Sequence, residues 1–257
     1  MLLSFDWRYD EDNDHSEGDC MMGVHQATTE GHAPILSKGS FDKLQSIMYK
    51  RSYDKGSCLF WEGDAADKLY FIIKGRIRAA KSTDSGRSLT LYLHQEGDLI
   101  GQMDPFQDSV HSFRAEVMED AKVGVIQRKD LEVLLWQHGD LAVEFMRWMG
   151  LMHRLTQTKF RDLMMFGKTG ALCSLLIRLS NSYGKPKSEH MYITLKISNT
   201  EMADMIGATR ESVNRMLSDL KKAEVIAFED GHFIIKDLCY LREVCCCENC
   251  PKEICRM

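Results

Sequence analysis

The repeat of apolar residues changes partway along the chain, and this change constrains the fold more than any other feature. Between Leu69 and Val125, apolar residues form short runs or alternate with polar ones, and glycine-containing turns separate them. Short strands at such spacing are typical of an all-β barrel or sandwich. From Leu141 the apolar residues recur in alternating steps of four and three, the repeat of an amphipathic helix. A β-domain followed by a long helix is therefore predicted.

The long helix carries a heptad seam, the narrow apolar stripe by which helices pair in coiled coils. Its positions are Leu141, Phe145, Trp148, Met152, Leu155, Lys159 and Asp162. A helix that follows a β-domain must bury such a stripe, and a symmetry-related copy is the simplest partner. The seam therefore predicts a homodimer. The alternative is that the stripe packs against the chain's own β-domain.

Beyond the long helix, the sequence predicts two short helices and a hairpin. Residues 198–201, Ser-Asn-Thr-Glu, form a capping box that begins the first helix, and Gly207 ends it. Thr209 caps the second helix, which runs from Arg210 to about Ala223. An Asp-Gly pair at 230–231 marks the turn of the hairpin. Helix, turn, helix and hairpin in this order indicate a winged helix-turn-helix.

The second of these short helices has a polar face suited to binding double-stranded DNA. The face comprises Arg210, Glu211, Asn214, Arg215 and Ser218. In the major groove, arginine can donate to guanine, asparagine can pair with adenine, and glutamate can accept from cytosine. Any surface helix has a solvated polar face, but the preceding helix, the glycine turn and the wing favour a recognition helix here.

The overall charge of the chain does not exclude nucleic-acid binding. The formal net charge is −5, but residues 1–34 hold eight acidic residues and one arginine, so the remainder sums to about +2. The acidic segment is predicted to be a flexible tail. It lacks the basic start of a secretory signal, and no apolar run reaches the length of a membrane span. We expect a cytoplasmic protein without membrane contact.

Five cysteines crowd the C-terminal tail, and three of them are spaced like metal ligands. Cys247, Cys250 and Cys255 follow the pattern C-x2-C-x4-C, and Cys245 and Cys246 precede them. Closely spaced thiolates can bind one soft metal centre and leave one position open to a fourth ligand. In a reducing compartment, such cysteines favour metal ligation over structural disulfides.

Two other roles for these cysteines stay open. They can form disulfides or bind zinc in a redox-responsive regulator that has no iron–sulfur cluster. A thiol oxidoreductase using Cys247 and Cys250 is less consistent with the sequence, because no βαβ pattern surrounds them. The chain is therefore not expected to be an enzyme.

The whole arrangement resembles the CRP/FNR superfamily of bacterial transcription regulators over about residues 35–242. The tail cysteines and the stretch 208–217, Ala-Thr-Arg-Glu-Ser-Val-Asn-Arg-Met-Leu, make it similar to the Fnr proteins of Bacillus, whose cysteines lie at the C-terminus. The resemblance implies a four-iron four-sulfur (4Fe-4S) cluster held by the three cysteines and an aspartate, which matches Asp162. It also implies a TGTGA-type half-site and activation through RNA polymerase when oxygen is limiting.

Asp162 is the least secure of these ligands from the residues alone. It lies on the heptad phase, where an unpaired carboxylate is costly to bury and needs a cation or a metal. The alternative is an exposed carboxylate, or a salt bridge to Arg161 or Lys159 of the partner subunit. We expect Asp162 at the splayed end of the seam, where Asp162→Ala leaves the dimer and the cluster-free fold intact.

The β-domain lacks the residue pairs by which cyclic-nucleotide sensors of this superfamily bind their ligand. Those sensors carry Gly-Glu for the ribose and Arg-Ser for the phosphate, whereas this chain has Gly101-Gln102 and His111-Ser112. The substitutions remove a carboxylate and a bidentate guanidinium. No cyclic nucleotide is expected to bind.

The predicted fold class is α+β, and the chain is expected to divide into five segments. Its β-domain is expected to be a cupin-like β-roll. The segments are 1–34, an acidic flexible tail; 35–130, the β-roll; 131–166, the dimerisation helix region; 167–242, the winged helix-turn-helix; and 243–257, an iron–sulfur-binding tail.

Overall fold

The structure is a computed structural model that describes residues 36–84, 86–103, 108–187 and 189–257. The acidic tail predicted at residues 1–34 lies outside the described residues. Within the described ranges, an antiparallel β-roll is followed by a long helix and a winged helix-turn-helix, so the predicted α+β architecture is confirmed.

The β-roll begins with a short helix and contains six strands in one antiparallel sheet. Its order is β1–β6–β3–β4, with β2 paired to β6 and β5 to β3. The elements are α1 Lys38–Gln45, β1 Met48–Tyr53, β2 Cys58–Phe60, β3 Lys68–Ser82, β4 Ser88–His94, β5 Leu99–Gly101 and β6 Arg114–Gln127. Aliphatic side chains such as Ile72, Ile77, Val117 and Val123 are almost fully buried in the core of the roll.

Strand β3 passes through Gly75 without ending there. Gly75 has a φ of +101°, and a Cβ there would lie 2.8 Å from the backbone of Ala121. The pairing of β3 with β6 shifts register on both sides of this glycine. Because glycine tolerates the bulge, β3 stays one strand of 15 residues.

Two helices follow the β-roll, and the second extends into the C-terminal domain. They are α2 Arg128–Gln137 and α3 Gly139–Tyr183. The backbone of α3 is non-helical at Gly167 (φ 61°, ψ −162°), and the helix resumes directly after this kink. Of the described helices, α3 alone is long and apolar enough to cross a membrane. However, 61% of its most apolar stretch is buried within the protein, as in the core helix of a soluble protein.

The predicted seam of α3 is covered by the chain's own β-roll, and the expectation that a partner subunit covers it is wrong. Leu141, Phe145 and Trp148 pack in one cluster with Leu131 of α2 and Ile126 of β6. Leu155 is also buried within the chain. Periodicity indicates that a stripe is buried but not what buries it, and the alternative stated for the sequence is the correct one.

A second apolar stripe runs along α3 one residue after the seam, about 100° around the helix, and it is exposed. Met146, Met149, Phe160 and Leu163 are 62%, 46%, 65% and 36% exposed. With His153 and Thr156 between them, these residues also follow alternating steps of three and four. We call this set the outer stripe.

The C-terminal domain is a winged helix-turn-helix, as predicted. A four-stranded sheet of order β7–β8–β10–β9 flanks the helices. The elements are β7 Gly184–Lys187, β8 His190–Ile193, α4 Asn199–Ile206, α5 Arg210–Lys222, β9 Ile226–Glu229, β10 His232–Ile235 and α6 Leu238–Val244. The capping box of Ser198 and Glu201, the left-handed end at Gly207 and the Thr209 cap are all present.

Candidate metal centre and DNA-binding surface

The cysteine tail folds back from α6 onto the kinked helix α3. Cys246 and Asn249 have positive φ values of 42° and 50°, which turn the chain after α6. A second turn follows, because the backbone N–H groups of Ile254 and Cys255 both donate to the carbonyl of Pro251 at 2.9 Å. The two turns place the last residues of the chain alongside α3.

This fold brings all four predicted metal ligands to one cavity. Cys247, Cys250 and Cys255 line it from the tail, and Asp162 lines it from α3. The space measures about 330 Å³, including the part open to solvent. Its other lining residues are Thr158, Arg161, Ser174, Ile177, Arg178, Cys245, Glu248 and Ile254.

Asp162 is buried and paired within its own chain, which contradicts the alternative of an exposed carboxylate. Its side chain accepts hydrogen bonds from Arg161 at 2.7 Å, from Arg178 at 3.1 Å and from the hydroxyl of Ser174. Only 2% of the residue is exposed. The carboxylate therefore has cationic partners before any metal binds, and we expect its removal to destabilise the cluster-free protein.

Arg178 is a site residue that the sequence reasoning missed. It is 4% exposed and donates to Asp162, and it also donates to the carbonyl of Ile254 at 3.1 Å. One buried guanidinium thus joins the predicted fourth ligand to the cysteine tail. The sequence does contain a sign of this role, because Arg178 is a charged residue inside the apolar run from Leu175 to Leu179 and would need a partner if buried.

The thiols of the cavity lie in unequal electrostatic environments. A hydrogen bond from Cys245 lowers the pKa of Cys247 to about 6 against the opposing effect of burial, helped by the backbone N–H of Asn249. Burial raises the pKa of Cys255, an effect that nearby Arg178 partly offsets. Because the thiolate is the form that binds metals, the lowered pKa of Cys247 favours ligation by this cysteine.

The donor set fits an iron–sulfur cluster. Within the described residues, no three His, Cys, Asp or Glu side chains converge on the position of a single metal ion. In a cubane each ligand binds a different iron, so its donors line a cavity rather than meet at a point. Three thiols and one carboxylate around one partly enclosed space meet that requirement.

The predicted recognition helix α5 presents its polar face to solvent. Arg210, Glu211, Asn214, Arg215 and Ser218 are all exposed. On the opposite side of the helix, Val213, Leu217 and Leu220 are buried in the domain core. The amide of Asn199 on α4 donates to the Asn214 side chain, which links the two helices of the motif.

Comparison with known proteins identifies the family. Residues 50–138 match the family described as cyclic nucleotide-binding domain, and residues 170–244 match the Crp-like helix-turn-helix domain. The chain is 44% identical over 225 residues to a protein of Bacillus subtilis named "Anaerobic regulatory protein", covering 87% of this chain and 94% of that one. The chain belongs to the CRP/FNR family of transcription regulators. It is not an enzyme.

Solved structures share the CRP/FNR fold at low sequence identity. A CooA mutant from Carboxydothermus hydrogenoformans aligns with a TM-score of 0.69 at 18% identity, covering 78% of this chain and 89% of that one. FixK2 from Bradyrhizobium japonicum aligns with a TM-score of 0.65 at 20% identity, covering 77% and 97%. At these identities the likeness establishes the fold alone.

In the β-roll of this CRP/FNR protein, Gln102, His111 and Ser112, which stand where cyclic-nucleotide sensors carry their binding residues, make contacts within the chain. The side-chain oxygen of Gln102 accepts from both the backbone N–H and the hydroxyl of Ser112, each at 3.0 Å. His111 is buried, and its ring stacks on Phe60 with centroids 3.6 Å apart. The two pairs singled out in the sequence thus pack against each other and against the core.

Proposed function

We propose that this protein regulates the transcription of anaerobic genes in response to oxygen. In this proposal a 4Fe-4S cluster is bound by Cys247, Cys250, Cys255 and Asp162. The observation that carries the proposal is the single cavity that all four residues line between the tail and α3. The anaerobic role of the similar Bacillus subtilis protein is consistent with it.

The cluster, when bound, supplies a centre that oxygen can degrade, and a carboxylate ligand is held less firmly by iron than a thiolate. The chain's own residues supply the connection from that centre to the DNA-binding domain. The carbonyl of Ile254 accepts from Arg178, and the carbonyl of Cys255 accepts from Asn181 at 2.7 Å. Arg178 and Asn181 lie on α3 beyond its kink, so a change in the tail acts directly on the helix that begins the DNA-binding domain.

We infer that the functional unit is a cytoplasmic homodimer formed through the outer stripe of α3. The Met146, Met149, Phe160 and Leu163 side chains leave an apolar helix face exposed in the single chain. Its steps of three and four match the packing of two parallel helices. A two-fold axis along α3 presents two copies of α5 to half-sites one helical turn apart on a palindrome.

In this account α5 reads double-stranded DNA through Arg210, Glu211, Asn214, Arg215 and Ser218, and the bound dimer contacts RNA polymerase. The exposure of all five side chains supports the assignment. The β-roll serves as a scaffold that binds no cyclic nucleotide. Residues 35–130, 131–166, 167–242 and 243–257 act as scaffold, dimerisation region, DNA-binding domain and sensing tail.

A second candidate is a thiol–disulfide or zinc-dependent redox regulator. Cys245 and Cys247 both line the cavity, and the neighbouring Cys245 thiol is the largest cause of the lowered pKa of Cys247. Such a pair suits disulfide formation or zinc binding by thiolates. Elemental analysis separates this candidate from the iron–sulfur protein.

The experiment is anaerobic purification followed by iron, sulfide and zinc analysis of the wild-type chain, Cys247→Ser and Cys58→Ser. Cys58 lies on β2, away from the tail, and is the matched control. We expect iron and sulfide in equal amounts in the wild type and in Cys58→Ser, and a loss of both in Cys247→Ser. Zinc without sulfide in the wild type favours the second candidate, and the absence of any metal contradicts both metal-binding proposals.

A further inference from the structure

The two residues that follow the last tail cysteine, Arg256 and Met257, are both buried. Arg256 is 4% exposed and Met257 is 7% exposed. The guanidinium of Arg256 donates to the carboxylate of Asp98 at 2.9 Å, and both side chains are only 5% exposed. Asp98 belongs to the β-roll, in the turn between β4 and β5, so this ion pair joins the end of the tail to the N-terminal domain.

Asp98 is held firmly within the β-roll. Its second carboxylate oxygen accepts from the backbone N–H of Gln95 at 3.0 Å, and its carbonyl accepts from the backbone N–H of Ile72 at 2.9 Å. Ile72 is central to β3 and fully buried. The turn that carries Asp98 is therefore a rigid partner for Arg256.

The other side of the terminus is anchored to the DNA-binding domain. The backbone N–H of Met257 donates to the hydroxyl of Ser182 at 3.0 Å, and Asn181 donates to the carbonyl of Cys255. The Met257 side chain packs in the same buried cluster as Leu172 and Leu176 of α3. Residues 255–257 thus bind α3 beyond its kink on one side and the β-roll on the other.

We propose that Arg256 and Met257 form a clasp that holds the DNA-binding domain against the β-roll and transmits the state of the tail to it. Arg256 directly follows Cys255, so displacement of this cysteine draws the guanidinium away from Asp98. Separating a buried ion pair leaves both charges uncompensated, which is costly. Partly separated states are therefore unfavourable, and we expect the contact to be either made or broken. The transmitting role rests on the proposed function, whereas the holding role does not.

A second interdomain contact provides a control that does not involve the tail. Arg78 of β3 lies 3.8 Å from Asp204 of α4 and also pairs with Glu116 at 2.6 Å. The Arg78 and Asp204 side chains are 15% and 22% exposed, less buried than the clasp. Loosening this contact tests whether any break between the domains has the effect that we assign to the clasp.

The holding role is tested by amide hydrogen exchange on the full-length, cluster-free protein. We expect Arg256→Gln to accelerate amide exchange at residues 95–98 and 253–257 by about tenfold or more. In the control variant Asp204→Asn, the exchange rate at residues 95–98 should not change. Unchanged exchange there in a folded Arg256→Gln overturns the clasp. Should Arg256→Gln not fold, Asp98→Asn breaks the same ion pair by removing its negative charge, and the same two outcomes apply.

The transmitting role is tested on the wild type, compared before and after exposure to air. We expect exchange at residues 253–257 and 95–98 to rise together, and Arg256→Gln to lose the oxygen response at residues 95–98. A response confined to the tail overturns transmission through the clasp. A tail whose exchange does not respond to oxygen contradicts the proposed function instead. The holding role is then decided by the hydrogen exchange of Arg256→Gln alone.

Discussion

Replacing Asp162 tests the buried charge cluster that connects α3 to the tail. Asp162→Ala removes the acceptor of Arg161 and Arg178 and leaves the latter guanidinium, 4% exposed, without a carboxylate. Breaking a buried pair by removing one partner costs about 3–5 kcal/mol. We expect a loss of this size in the free energy of unfolding of the cluster-free protein.

The assay is urea unfolding of cluster-free protein, with Glu248→Gln as the matched control. Glu248 also pairs with Arg161, but its side chain is 59% exposed. An exposed pair contributes about 1 kcal/mol or less. A loss below about 1 kcal/mol for Asp162→Ala, or equal losses for the two variants, would refute the claim that this carboxylate stabilises the fold.

Three further predictions concern DNA reading, assembly and pH. Arg215→Ala should cost about 1–3 kcal/mol at one base pair of the palindrome, and an equal loss on random DNA contradicts the placement of α5 in the major groove. Met149→Lys, which places a charge in the outer stripe, should yield monomers in sedimentation, and an intact dimer excludes that interface. Burial lowers the pKa of His94 from 6.5 to about 4; Asp98 opposes this shift, and Arg256 and Lys159 reinforce it. Because the unfolded chain binds the proton first, stability present above pH 6.5 should fall by about 3 kcal/mol as the pH approaches 4. His94→Gln should show a smaller fall, and an equal fall contradicts this account.

The features predicted correctly from the sequence are those set by local interactions. Ser198, Glu201 and Thr209 cap their helices through contacts within four residues. The capping pattern can therefore be recognised from neighbouring residues in the sequence. The strands of the β-roll follow from alternation in the same way.

The features missed from the sequence depend on which distant surfaces meet. The seam that begins at Leu141 was predicted to be buried, and it is, but the β-roll covers it instead of a second subunit. Asp162 was assigned through a resemblance, and its pairing with Arg178 required the tertiary fold. Arg256 joins a residue more than a hundred positions away, and no local pattern encodes such a contact.

The central claim is that oxygen acts through the tail to change DNA binding. It is tested most directly by measuring the affinity of anaerobically purified protein for a TGTGA-type palindrome, before and after exposure of the same sample to air. We expect tight, sequence-specific binding that exposure to air weakens by about 1.4 kcal/mol or more, a tenfold change in affinity, with little change on a scrambled duplex. Equal affinity for the palindrome before and after oxygen contradicts the account.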